Sequence, residues 1–264
     1  MNSLLQRAPP HYPRLLAALL LALFILRIAL GGEEDASLQR VQQAGVLVVA
    51  FDASYPPFET TDGQGNYSGF DAGLAREIAS RLGVQVQFAN ISFDSLYDTL
   101  TGRKADVVVS GLRYEAERTR DVFYTISYFD AGQALVVCSA STLTKPADMA
   151  GRRVAVELAS EGEVEAKKLA AKTVGMQLQQ CSTPEDELVA LRRGAVDALV
   201  TDHVTALEMI EDQADLRLLA PPFAPDPLVV AGHVDDRTLM SEVNRIIKAL
   251  RDDGTLGWLA QQWF

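Results

Sequence analysis

An arginine stands just beyond a buried-looking apolar run, where a small ligand can be caught. The stretch Asp106-Val107-Val108-Val109-Ser110-Gly111-Leu112-Arg113-Tyr114-Glu115-Ala116-Glu117-Arg118 passes from valines into a polar turn and then to a second guanidinium. Strand ends of open α/β sheets are ligand positions. A guanidinium there offers a carboxylate two parallel, charge-assisted hydrogen bonds. Upstream, Gly69-Phe70-Asp71 reads as a helix start with Asp71 as its cap. The chemistry to expect is capture of a small anionic or zwitterionic molecule. The chain has two cysteines, Cys138 and Cys181, and three scattered histidines, none at metal-ligand spacing. It has no Gly-rich phosphate loop and no nucleophile–base motif, so neither a cofactor nor covalent catalysis is expected.

The elements that must position these residues follow from the apolar pattern. Val46–Phe51 reads as a strand, Asp62-Gly63 as a hairpin turn, and Leu74, Ile78 and Leu82 as a helical stripe closed by Gly83. A strand at 84–88, a short helix at 94–100 and a buried strand at 105–109 complete β-α-β-α-β, which implies a parallel sheet. The pattern then recurs: strands at 134–137, 153–156, 176–180 and 198–201, and a helix at 162–171. Thr183-Pro184-Glu185-Asp186 opens another helix with a capping hydroxyl and a proline at its first position. Ser241–Leu250 is amphipathic. Two such units without a Ser/Gly-rich linker suggest two lobes and a cleft, a favoured ligand site.

Composition narrows the partners. The 264 residues are 48% hydrophobic with a formal net charge of -11, which argues against nucleic acid. Residues 1–32 differ from the rest. Arg7 and Arg14 precede the apolar run Leu15–Leu26, and no acid occurs there. This reads as a signal peptide, with an uncleaved N-terminal anchor as the alternative. An exported chain can form a Cys138–Cys181 disulfide; two buried thiols remain the other possibility.

Taken in order, Phe51-Asp52-Ala53-Ser54-Tyr55-Pro56-Pro57-Phe58-Glu59, Gly69-Phe70-Asp71, Phe93-Asp94-Ser95-Leu96, the run from Asp106 to Gly111, Glu117-Arg118 and the ending Asp253-Gly254-Thr255 to Trp263-Phe264 resemble the bacterial extracellular solute-binding proteins of family 3. The resemblance covers roughly 38–264. It implies an α/β, two-lobed, type II periplasmic-binding-protein-like fold, mainly parallel in each lobe, with a two-strand hinge and an interlobe cleft. Lobe 1 would be 33–130 and 226–264, and lobe 2 would be 131–225.

The resemblance also implies residue roles. Arg118 would fork onto a ligand α-carboxylate, or else form a surface pair with Glu115 or Glu117. Asp202 would take the α-ammonium, cap the following helix, or both. Tyr55 and Phe93 would pack on the ligand side chain, unless they are core aromatics. Asp52 would reach a polar ligand tip or cap a turn. Ser110 and Gly111 would offer backbone to the ligand. Two departures stand out. Arg113 replaces a hydroxyl residue, and in the turn Leu158-Ala159-Ser160-Glu161-Gly162 only Ser160 keeps a hydroxyl while Glu161 replaces another. Arg113 and Glu161 are expected to pair across the cleft on closure; Arg113 on a second ligand acid, or in solvent, are the alternatives.

The function implied is the exported, monomeric substrate-binding component of an ABC importer, delivering a small polar amino acid or related carboxylate to a membrane permease. An exported cyclohexadienyl or arogenate dehydratase-like enzyme is one alternative. Thr205 stands where such an enzyme would carry its acid, which disfavours it. A sensor module acting on a membrane signalling partner is the other.

Overall fold

A computed structural model describes residues 35–211 and 213–264; the expected leader, 1–32, lies outside them. Helix α1 (Ser37–Ala44) leads into β1 (Val46–Phe51). A small antiparallel sheet follows, made of β2 (Ser54–Tyr55), β3 (Glu59–Thr61) and β4 (Tyr67–Ser68). Its turn is held by Asp62, which accepts from the Gln64 and Asn66 amides.

Helix α2 (Phe70–Leu82) buries Phe70, Leu74, Ile78 and Leu82, one stripe at helical spacing, and ends at left-handed Gly83. One expectation is corrected here. Asp71 does not cap this helix. Gly69 holds the N-cap with φ 120°, where an added Cβ would sit 2.2 Å from the Phe58 carbonyl oxygen. Asp71 lies inside the first turn, fully buried, and spends its carboxylate elsewhere.

Then come β5 (Gln85–Asn90), α3 (Leu96–Thr101), β6 (Val107–Val108) and β7 (Val122–Asp130). The second half holds β8 (Gln133–Cys138), β9 (Arg153–Glu157), α4 (Glu161–Ala170), β10 (Gln177–Cys181), α5 (Pro184–Arg192), β11 (Ala198–Asp202), α6 (His203–Glu211) and β12 (Leu216–Ala224). The chain closes with β13 (Pro227–His233), α7 (Arg237–Asp252) and α8 (Thr255–Trp263). Thr183 caps α5 by accepting from the Asp186 amide, as its sequence implies. The amphipathic stripe of α7 buries Val243, Ile246, Ile247 and Leu250 in the core beside α2.

Two five-stranded sheets result, ordered β5-β1-β6-β13-β7 and β10-β9-β11-β8-β12. In each, a single strand opposes the other four: β13 in the first sheet and β8 in the second. Both opposed strands follow a crossing between sheets. The chain passes from β7 to β8 through Ala131-Gly132, and from β12 to β13 through Pro225-Asp226.

The two crossings are hydrogen-bonded together. The Ala131 amide donates to the Asp226 carbonyl at 2.9 Å, and Asp130 Oδ1 accepts from the Gly132 and Asp226 amides. An added Cβ at Gly132 would lie 2.0 Å from the Ala224 carbonyl oxygen. Gly132→Ala is therefore expected to force the crossings apart and cost about 2 kcal/mol or more in urea unfolding.

The disulfide expectation is corrected as well: Cys138 and Cys181 are both free. They share one apolar cluster, but β8 and β10 are separated by β11 and β9. Three strand spacings of ~4.8 Å put the two backbones far beyond the ~7 Å that a disulfide spans.

Candidate functional site

The C-terminal ends of β1, β6, β9 and β11 and the crossings between the sheets surround a group of adjoining cavities. One, of about 740 Å³, is walled by Tyr55, Arg113, Glu161, Glu165, Asp202 and Asp226, among others, with the Ala131–Gln133 crossing at its base. A second, of about 350 Å³, lies against Asp52, Tyr55, Phe93, Gly111 and Arg113. A third, of about 210 Å³, lies against Gln133, Glu157, Ser160, Glu161, Glu187 and Asp202.

Tyr55 and Phe93 are not core aromatics. They are 54% and 50% exposed and line cavity walls. Tyr55 stacks on buried Phe58 at 5.3 Å between ring centroids, which fixes its face toward the space. Partial burial pushes its hydroxyl pKa up, while the Arg113 charge pulls it down. Asp52 holds the turn that presents Phe93. Its Oδ2 accepts from the Phe93 amide at 2.8 Å and its Oδ1 from the Ser54 hydroxyl at 2.6 Å.

Beneath this wall lies a support built from buried acids. Ser110 is buried, and its hydroxyl donates to Glu59 Oε1 at 2.6 Å while accepting from the Asp52 amide. Its side chain is structural. Gly111 (φ 54°) turns the loop, lies within reach of the Tyr55 ring, and donates its amide to Asp71 Oδ2 at 2.7 Å. Tyr128 donates to the same oxygen at 2.9 Å.

Glu59 Oε2 and Asp71 Oδ1 are buried without hydrogen-bond partners among the described residues. A proton shared between these two oxygens satisfies both. Burial and the Asp71 charge push Glu59 up to about 10, so the pair holds a proton at neutral pH. Burial pushes Asp71 up to about 6, against the pull of its hydrogen bonds.

The two arginines part company. Arg113 lines two cavities, and its Nε contacts Asp226 Oδ2 at 2.6 Å. The Asp226 hydrogen bond raises its pKa, and Glu161 adds to this from across the space. Arg118 is not among the residues lining these three cavities. It pairs with Glu115 at 2.7 Å and lies 3.9 Å from the centre of the Tyr97 ring. Arg113, not Arg118, walls a cavity together with Asp202 here, and Arg118 takes the surface pair with Glu115 that was the alternative for it. Three residues spanning a tight 3-10 turn bring Glu115 under the Arg118 guanidinium, which holds it aside.

On the second sheet, Ser160 caps α4, accepting from the Glu163 amide and donating to the Glu157 carbonyl. Ala159 before it takes φ 63°. Glu161 opens the helix and lines two cavities. Asp202 caps the following helix, its Oδ1 accepting from the Thr205 amide at 2.9 Å, and the residue also walls two cavities.

Sequence reasoning missed Asp226, Gln133, Glu165 and Glu187. The only signal for Asp226 and Gln133 is their place beside the crossings. Glu187 looks like an ordinary first-turn acid of α5, a common helix preference.

The chain is 27% identical to ABC transporter arginine-binding protein 1 of Escherichia coli over 217 residues, 80% of this chain and 88% of that protein. It is 27% identical to an L-cystine-binding protein of the same organism over 234 residues, 88% of this chain and 87% of that one. Among solved structures, an ancestral cationic amino acid solute-binding protein matches at 30% identity and TM-score 0.59, over 86% of this chain and 99% of its own. The L-cystine solute receptor of Neisseria gonorrhoeae in its unliganded open conformation matches at 25% identity and TM-score 0.72, over 86% and 96%. The fold is that of the two-lobed type II periplasmic binding proteins. The family pattern of bacterial extracellular solute-binding proteins, family 3, spans residues 47–264. The chain belongs to that family.

Proposed function

We propose that this protein is the substrate-binding component of an ABC importer, capturing a small polar amino acid or related small carboxylate and delivering it to a membrane permease. The observation that carries the reading is one cavity walled by Arg113 from the first sheet's loops and Asp202 from the second sheet's strand ends. Opposite charges on opposing walls suit a zwitterion. The relatives named for arginine and cystine binding support the same class of ligand.

Residues 33–130 with 226–264 form one lobe in this reading, and 131–225 the other. The paired crossings act as the hinge, and closure folds the walls onto the ligand. Closure also sets Glu161 against Arg113. Arg118 joins as a second carboxylate partner by exchanging Glu115 for the ligand. An exposed pair of that kind is worth ~0–1 kcal/mol, so its release costs little. Residues 1–32 direct export to the periplasm or the cell exterior, as a cleaved leader or as an anchor. The protein acts as a monomer and binds without chemistry. Asp202 has Thr205, not an acid, three residues on, and the Thr205 amide occupies one of its oxygens.

Thermal unfolding in the presence of each common amino acid tests the reading. A ligand at a hundred times its Kd is expected to add about 2.7 kcal/mol, a rise of roughly 5–11 °C for a chain of this size. Turnover of prephenate or arogenate, with no shift by any amino acid, would overturn it.

A further inference from the structure

The geometry points to a second recognition site. We propose that the cavity between β9, α4, α5 and β11 receives a positively charged organic group of the ligand, an ammonium or guanidinium, in addition to the α-amino group. This rests on the binding-protein reading above and specifies what kind of molecule is carried.

Four carboxylates wall the cavity, Glu157, Glu161, Glu187 and Asp202, and no lysine or arginine does. The decisive one is Glu187, in the first turn of α5. It is 1% exposed, and its Oε1 is buried without a hydrogen-bond partner among the described residues. A buried carboxyl oxygen with nothing to accept from is costly, and a donor arriving through the cavity would satisfy it.

The groups facing Glu187 are acids or neutral. Burial and the Glu157 charge push Glu187 up to about 8, against a hydrogen bond from the Glu157 backbone. From the end of β10, Cys181 is pushed up by burial and by the charges of Glu187 and Asp186. Gln133, Ser160 and Thr201 supply the neutral polar lining. A cation entering the cavity relieves this crowding by taking the place of the proton that burial and the Glu157 charge otherwise favour on Glu187.

Size and connection identify the occupant further. About 210 Å³ falls below the ~300–1,000 Å³ of a pocket for a whole small ligand, so it holds a group rather than a molecule. Gln133, Glu161 and Asp202 also wall the 740 Å³ cavity, so one ligand can occupy both. Among the described residues no set of three His, Cys, Asp or Glu side chains is arranged to hold a metal ion. The occupant is therefore organic.

The experiment is titration calorimetry with matched probes: L-arginine against L-citrulline, L-lysine against L-norleucine, and L-glutamate. The cationic member of each pair is expected to bind at least tenfold tighter. Glu187→Gln is expected to shrink that preference by tenfold or more while leaving affinity for the neutral member within threefold. Glu157→Gln, at a less buried position, is expected to act in the same direction and carries the test should Glu187→Gln not fold.

Equal or tighter binding of the neutral or acidic probes overturns this inference and leaves the binding-protein reading standing. So does an unchanged preference in both variants, or a response to calcium chloride in place of the organic cations. Silence toward all five organic probes overturns this inference as well, while the binding-protein reading falls only on the thermal-unfolding and turnover outcomes given for it.

Discussion

Replacing Asp71 with alanine is expected to destabilise the folded chain by about 3–5 kcal/mol, the range for breaking a buried charged network from one side. The carboxylate is fully buried and serves two donors on one oxygen, the Gly111 amide and the Tyr128 hydroxyl. Without it both donors lose their acceptor inside the core, and the Glu59 carboxyl loses the group that shares its proton. Urea unfolding at neutral pH measures the loss. Asp71→Asn, which keeps the volume and one acceptor oxygen, should lose less. Ligand affinity should fall in both variants, because Gly111 belongs to the loop beside Tyr55 and Arg113 that walls the site. A destabilisation of less than about 1 kcal/mol in Asp71→Ala would mean that this support is not the one holding the loop.

Stability should also fall as pH rises, and Glu59→Gln should remove much of that slope. The unfolded chain releases the Glu59 proton near its ordinary 4.5, whereas the folded chain keeps it to about 10 because of burial and the nearby Asp71 charge. Between those values the folded state binds more protons than the unfolded state, so each rise in pH favours unfolding. Asp71, pushed up to about 6 by burial, adds to the slope in the acidic part of the window. A glutamine at position 59 is neutral at every pH. Its amide can donate to Asp71 Oδ1, and its carbonyl can keep the Ser110 hydroxyl. Glu59→Gln should match the wild type near pH 5 and exceed it by on the order of 2–4 kcal/mol at pH 9. Melting curves from pH 5 to pH 9 give the comparison. Parallel slopes in the two proteins would show that Glu59 titrates normally and that the acid pair is not proton-shared.

Where sequence reasoning and structure part, the partner that decides a residue's role mostly lies far along the chain. Asp71 has the residue type and position of a helix cap, but a cap is a local property. Its real partners are 40 and 57 positions away along the chain. Arg118 sits where the family resemblance puts a ligand arginine, yet a glutamate three residues before it competes for the same guanidinium. Glu187 has the composition of an ordinary first-turn acid, and only the packing of α5 against β9 and β11 makes it a buried carboxyl with an empty oxygen. Cys138 and Cys181 share a cluster, but which strands lie between them is set by sheet order, which no spacing in the chain encodes.

What the sequence determined by itself is most of what depends on short-range pattern, the Asp71 cap excepted: the strand and helix positions, the hairpin turn at Asp62, the Thr183 cap, the Gly83 stop, the two α/β units, and a strand end carrying polar and cationic residues. Periodicity and turn chemistry act over a few residues, so they can be read without coordinates. Tertiary structure decided which charges share a space. It set Arg113 on a cavity wall shared with Asp202, joined Glu59 to Asp71 beneath the Gly111 loop, and enclosed Glu187 beside Glu157. Those outcomes depend on where side chains from distant elements point after the crossings at Gly132 and Asp226 bring the two sheets together, and electrostatic energy inside a protein follows those separations and their burial rather than order along the chain.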